Sequence, residues 1–200
     1  EARAYGYGGK IGVLYTPAKD LSLGLTYHTQ SVLGDMTTKG GELSFQLNIP
    51  GLGRMPQTLN GDFRIRNFQW PAMLGAGFAW HPAPRWMIAG DVRAIFWKNV
   101  MKDFSMSFVA SDAAANGPFA GQNLEAVLFQ DWKDQAVIML GAACEVTDRL
   151  TARFGFNTSN NPVPDNYLNC LFPAIVKTHL TAGFGWKLNA RSSADASFTY

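Results

Sequence analysis

"RWMIAGDVRAIFW", residues 85–97, carries its charges and a row of apolar side chains on opposite parities. Trp86, Ile88, Val92, Ala94 and Phe96 share one parity, while Asp91 and Arg93 hold the other. A helix would repeat its apolar positions every 3.6 residues, so a period of two means an extended strand with one apolar and one polar face. The alternation recurs along the chain. Tyr7, Ile11, Val13 and Tyr15 oppose Lys10; Leu21, Leu23, Leu25 and Tyr27 oppose Ser22, Thr26 and His28. Phe68, Trp70, Ala72, Leu74, Ala76, Phe78 and Trp80 form another row. Phe63 and Ile65 precede it on the opposite parity, which predicts a bulge at Arg66 or Asn67 and puts Pro71 inside a strand. Further rows are Ala136, Ile138, Leu140, Ala142 and Val146; Leu150, Ala152, Phe154 and Phe156; Leu180, Ala182, Phe184, Trp186 and Leu188; and Ala194, Ala196, Phe198 and Tyr200.

The apolar rows end in aromatics: Tyr15, Tyr27, Trp70, Trp80, Trp86, Phe96, Trp186 and Tyr200. Aromatic girdles at both ends of an apolar band are the pattern of a membrane barrel, and the opposite face mixes isolated charges with Gly, Ser and Thr as a polar lumen does. The alternative, a soluble β-sandwich with these aromatics in its core, asks for a more uniformly charged exterior. Composition agrees with the barrel. Only 16% of residues are charged against about 25% in soluble domains, while 13% are aromatic and 20 are glycine. The net charge of +2, spread over 17 basic and 15 acidic residues, points to no nucleic-acid partner. No apolar run is long enough for a transmembrane helix, and a barrel needs none.

Connection lengths sharpen the reading. "TPAKD" (16–20), "HPAPR" (81–85), "TDR" (147–149) and "NARS" (189–192) are short polar turns, whereas 32–62, 99–133 and 160–176 are long connections. Short and long alternate, as tight periplasmic turns and long extracellular loops do in outer-membrane barrels. The first strand runs toward a short turn and the last leaves one, so both ends of the chain fall on the long-loop side. Eight strands arranged so are expected to be an interior part of a larger barrel, with the whole chain, 1–200, a partial β-barrel.

"YGYGGKIGVLYTPAKDLSLGLTYHT", "FQDWKDQAVIMLGAACEVTDRLTARFGFNTSNNPVP" and "THLTAGFGWKLN" resemble, in that order, successive stretches of the FadL/TodX (OMPP1) family of outer-membrane transporters. The resemblance implies a transmembrane antiparallel barrel of about 14 strands with an amino-terminal plug, of which this chain would supply roughly strands six to thirteen. It implies passive uptake of long-chain fatty acids or hydrocarbons with lateral release to the bilayer, no chemistry and no cofactor. The partners it implies are a hydrophobic small molecule, outer-membrane lipid and lipopolysaccharide. An outer-membrane structural or surface-binding barrel without transport is the other reading.

Candidate substrate-binding residues follow from residue type. The 32–62 connection carries Leu43, Phe45, Leu47 and Ile49, and 99–133 carries Phe104, Met106, Phe108 and Leu128. Connections this apolar either pack on a neighbour or present a greasy surface, and both remain open. The resemblance assigns the first of them part of an external groove. A fatty acid also needs a cation for its carboxylate, and lumen-side parity offers Arg93 and Arg153, with Lys10 and Lys187 behind them. Pairing with Asp91, Glu145 or Asp195 would cancel those charges. Leu128 and Phe129 stand where fatty-acid-binding relatives can carry a lysine ahead of W-x-D, which raises a neutral hydrocarbon as substrate. His28, His81 and His179 lack metal-ligand spacing, His81 reading as part of a turn. Cys144 lies near a short turn and Cys170 in the long connection at the opposite end, a strand length apart and too far for a mutual disulfide. Pro162 and Pro164, which cannot donate to a ladder, should stop the strand at Leu150 onward at the membrane rim, with the apolar stretch after them folding back as a lid.

Overall fold

The computed structural model describes residues 2–51, 53–168 and 176–200. In chain order the strands are β1 (Gly6–Tyr7), β2 (Lys10–Ala18), β3 (Leu21–His28), β4 (Val32–Leu33), β5 (Met36–Thr37), β6 (Gly41–Ile49), β7 (Gly53–Arg66) and β8 (Met73–Ala83), followed by β9 (Trp86–Ile95), β10 (Asp103–Ala110), β11 (Asn123–Phe129), β12 (Gln135–Glu145), β13 (Leu150–Ser159), β14 (Thr178–Asn189) and β15 (Ser192–Thr199). They fall into two compact units, one drawn from 8–30, 71–99 and 132–200, the other from the segment up to Tyr7, 31–70 and 100–131.

The first unit is an eight-stranded sheet in the order β15-β14-β13-β12-β9-β8-β3-β2, every neighbouring pair antiparallel. The alternation read from each strand becomes a property of the whole sheet because the registers align parities. Residues directly opposite in an antiparallel pair point to the same face, so Val13, Leu25, Ala76, Val92 and Ile138 form one continuous apolar row. Leu140, Phe156 and Leu180 form another. This face stays open: Leu140 is 51%, Phe154 64% and Phe198 72% exposed. Water would not tolerate so extended an apolar surface on a monomer; hydrocarbon would. The opposite face carries Lys10, Thr26, His28, Asp91, Arg93, Arg153, Thr181 and Asp195 among glycines. The sheet is open, with β2 and β15 at its two ends, and β1 pairs with β4 rather than with β15. The fold is a partial barrel.

The short connections are as tight as expected. Trp80 Nε1 of β8 donates to Asp20 Oδ2 in the β2–β3 turn (3.2 Å), and Arg85 Nη2 to Asp148 Oδ1 between neighbouring turns (3.0 Å). His81 lies in the last residues of β8 and not in the turn.

At the other end the W-x-D segment ties strand exits together. Trp132, 5% exposed, packs edge-on against Trp97 with ring centroids 5.1 Å apart. The Lys98 N–H donates to Asp134 Oδ1 (3.0 Å), and Trp97 Nε1 to Gln135 Oε1 (3.2 Å). β13 stops at Ser159, just ahead of the two prolines, and the Pro162 carbonyl accepts the Lys133 N–H (2.8 Å). Pro162 and Val163 are buried there. Of the proposed lid, Tyr167 ends a short 3₁₀ turn and Leu168 is exposed; the rest of it and Cys170 lie outside the described residues. Cys144 is a half-buried free thiol.

Two expectations are corrected. The run from Phe63 to Trp80 is not one bulged strand: β7 ends at Arg66, Asn67 has φ 59°, and β8 begins at Met73 in the other sheet. Asparagine is among the few side chains that accept the left-handed region, and one such residue turns the chain out of the sheet. Pro71 therefore sits in the irregular link and removes no ladder bond. The second correction concerns 32–62 and 99–133, which are strand-bearing. They contain β4 to β7, β10 and β11.

Candidate functional site

The second unit shows where the apolar candidates go. Its five-stranded sheet runs β11-β10-β7-β5, with β6 also on β7. Leu43 faces Leu59, Leu47 faces Met55, and Gly41 faces Gly61 across β6 and β7. Phe108 faces Phe63 and Met106 faces Ile65 across β10 and β7. Phe104 faces Leu128 and Phe108 faces Leu124 across β10 and β11. Because opposed residues share a face, Leu43, Phe45, Leu47, Ile49, Phe104, Met106, Phe108 and Leu128 all lie on one side of one sheet, joined by Met36, Leu59, Phe63 and Ile65. Two connections far apart in sequence thus contribute to a single apolar surface.

Part of that surface is consumed by packing. Leu59 (0% exposed), Phe108 and Ala110 form a small core, against which Leu43, Phe45, Phe63, Phe119 and Leu124 pack. Phe63 and Phe108 sit 4.8 Å apart between ring centroids, and Phe45 meets Phe119 edge-on at 5.8 Å. Phe119 ends a short 3₁₀ segment, Ala114–Phe119, pinned by the fully buried Asn116. That side chain accepts the Asn60 N–H (2.9 Å) and donates to the Asn60 carbonyl (2.9 Å) and the Ser111 carbonyl (2.7 Å). Leu43, Phe45 and Phe108 are therefore packing residues first. Leu47 and Ile49 run on toward the β6–β7 hairpin, where Met55 is 48% exposed. Phe104 continues the surface the other way to Phe68, at 6.1 Å. Phe119, one of the apolar residues of 99–133 that sequence offers to a substrate, is thus a packing residue as well. Leu59, Phe63 and Asn116 were missed as site residues; Phe63 and Leu59 carry the right parity, but nothing local marks Asn116.

Charge is kept on the reverse of this sheet. Arg66 Nη2 bridges to Glu125 Oε1 (2.6 Å), which also accepts from Asn123 Nδ2 (3.1 Å). The Arg66 hydrogen bond, followed by its charge, holds the Glu125 carboxyl below the usual carboxylate range. A lowered folded value means the pair's stabilisation is present above the unfolded carboxylate pKa and fades as pH falls through the lowered one. Acidifying into the ordinary carboxylate range should therefore leave Glu125 ionised, and its carboxyl carbon resonance in an NMR titration should move only at more acid pH. Titration at the ordinary glutamate value would refute this.

The two arginine candidates belong to the eight-stranded sheet. Arg153 Nη1 bridges to Asp195 Oδ1 at 2.5 Å, so its charge is paired. Arg93 lines a pocket of about 490 Å³ with Lys10, Thr26, His28 and Asp91, and among the described residues no ion pair is formed by it.

An open antiparallel sheet, apolar outside and polar inside, with tight turns at one end and long connections at the other, defines a segment of a transmembrane β-barrel of the outer-membrane type. The chain belongs to the outer membrane transport protein family OMPP1/FadL/TodX, whose model matches residues 1–200; this is a family of outer-membrane transport proteins, not of enzymes. Among solved structures it is similar to the Pseudomonas putida toluene transporter TodX (24% identity, TM-score 0.73), covering 98% of this chain and 44% of that one. It is similar to the Ralstonia pickettii toluene transporter TbuX (27%, TM-score 0.73; 99% of this chain and 43% of that one). It is also similar to the monoaromatic hydrocarbon channel CymD (23%, TM-score 0.77; 100% and 47%). The chain thus spans less than half the length of these structures. No curated protein matches the sequence.

Proposed function

We propose that this chain forms strands six to thirteen of a barrel that lets hydrophobic small molecules diffuse across the outer membrane, neutral hydrocarbons in preference to long-chain fatty acids. The observation that carries the reading is the apolar sheet face assembled from the 32–62 and 99–133 connections, on which Leu47, Ile49, Met106 and Leu128 remain only half-buried and whose strands, among the described residues, place no cation there. A surface of that kind collects uncharged apolar molecules from dilute solution, since burying apolar area is favourable by about 25 cal/mol per Å², and it offers a carboxylate nothing. The toluene and hydrocarbon named for similar structures accord with this. Release sideways into the bilayer is part of the same proposal; it is supported by the polar inner face of the eight-stranded sheet, which is a poorer solvent for a hydrocarbon than the acyl chains outside.

The test is uptake of labelled toluene and of a labelled long-chain fatty acid by cells carrying the full-length gene or its deletion. Faster toluene entry with the gene is expected. No difference for either compound would sink the transport reading, and a fatty-acid effect without a toluene effect would overturn the preference.

A further inference from the structure

Arg153 and Asp195 do more than meet. They lie on different strands, 42 residues apart in sequence. On the polar face Arg153 of β13 stands opposite Gly183 of β14, and Asp195 of β15 stands opposite Gly185. A Cβ on Gly185 would come within 2.6 Å of Asp195 Oδ1 and 2.9 Å of Arg153 Nη2. The missing side chain therefore leaves the room in which the guanidinium lies down against the sheet and reaches the carboxylate. The two residues border a pocket of about 310 Å³ with Thr181, Gly183 and Ser197.

The energetics say what such a pair is for. Its side chains are 51% and 56% exposed, and ion pairs this open contribute little to stability. Asp195 caps no helix and closes no turn, being mid-strand in β15. Its physical consequence is electrostatic: without it, Arg153 would present an unpaired guanidinium at a lumen-facing pocket, ready to hold a carboxylate through charge-assisted hydrogen bonds.

We propose that Asp195 is a specificity-determining residue, which masks Arg153 so that the inner face retains uncharged aromatic or aliphatic molecules and does not trap organic carboxylates. This deepens the reading that the barrel carries neutral hydrocarbons, and it acts through Arg153 rather than by touching the permeant.

Toluene and benzoate, which differ in a methyl against a carboxylate, are the probes. With the purified full-length protein in detergent, Asp195→Asn is expected to raise benzoate affinity on the order of tenfold, the worth of one hydrogen bond to a charged group. The gain should vanish at high salt, while toluene binding is unchanged. Asp195→Glu should behave as the native protein, and the double variant Asp195→Asn with Arg153→Gln should return benzoate affinity to its starting value. Arg153→Gln alone provides the mirror, because the freed carboxylate should raise affinity for benzylammonium by a similar factor. If neither single variant changes the affinity of its charged probe, the masking role is wrong, whichever variant folds. Failure of the native protein to speed toluene uptake would instead remove the hydrocarbon reading, and a benzoate gain in Asp195→Asn would still stand as charge masking.

Discussion

Leu140→Arg is expected to destabilise the full-length barrel in lipid by about 2–4 kcal/mol, the cost of an arginine near the bilayer midplane on the lipid face of a barrel. Leu140 sits mid-strand in β12, opposite Gly90 on one side and Phe156 on the other, and is 51% exposed. Were that face in water, an exposed leucine could become arginine within about ±0.5 kcal/mol. The two environments thus predict effects several-fold apart from one substitution. Met139, next along the strand, points to the polar face and is flanked by Asp91 and Asn157, so Met139→Arg should be tolerated. Denaturant unfolding of both variants in lipid vesicles reads the difference. Equal effects at the two neighbouring positions would mean that the faces have been assigned to the wrong solvents.

Gly61→Val should unfold the sheet made by the long connections while sparing the eight-stranded one. Gly61 is opposite Ala110 where β7 meets β10. A Cβ there would lie 2.1 Å from the Val109 carbonyl oxygen and 2.9 Å from the Ala110 Cα, both backbone, and 2.8 Å from the tip of the Phe108 ring. A ring tip can swing aside, but two backbone atoms cannot do so without parting the strands, so the cost should reach about 3 kcal/mol, the upper end for overpacking. Leu59, Phe108 and Ala110 would then lose the contacts that bury them. Limited proteolysis is expected to cut within 100–131, and toluene uptake to fall, with denaturant unfolding of the remaining barrel near its native midpoint. Protection of 100–131 unchanged in the variant would show that the small core does not depend on this approach.

How much of this could be read from sequence depends on the range of the interaction. The eight strands of the main sheet were legible because period-two alternation is local: Trp86 to Ile95 declares its two faces whatever it pairs with. The same signal was present in "GELSFQLNI", where Leu43, Phe45, Leu47 and Ile49 alternate with Glu42, Ser44, Gln46 and Asn48, yet the Gly, Thr and Pro around it mark a connection. Phe63 to Trp80 misled for the reverse reason. A change of parity looks the same along the chain whether a strand bulges or, as at Asn67, leaves the sheet.

The candidate site divides along the same line. That Leu47, Met106 and Leu128 would seek apolar company, and that Arg93 and Arg153 would lie on a polar face, was decided by side-chain chemistry and parity in the sequence alone. Which of them would meet was not. Only the registers of β6, β7, β10 and β11 put residues from two distant connections on one face, and only the pairing of β13, β14 and β15 set Asp195 beside Arg153 over Gly185. Alternation depends on the backbone of a few consecutive residues, whereas register and charge pairing depend on which strands come together, and that is chosen by the packing of the whole sheet.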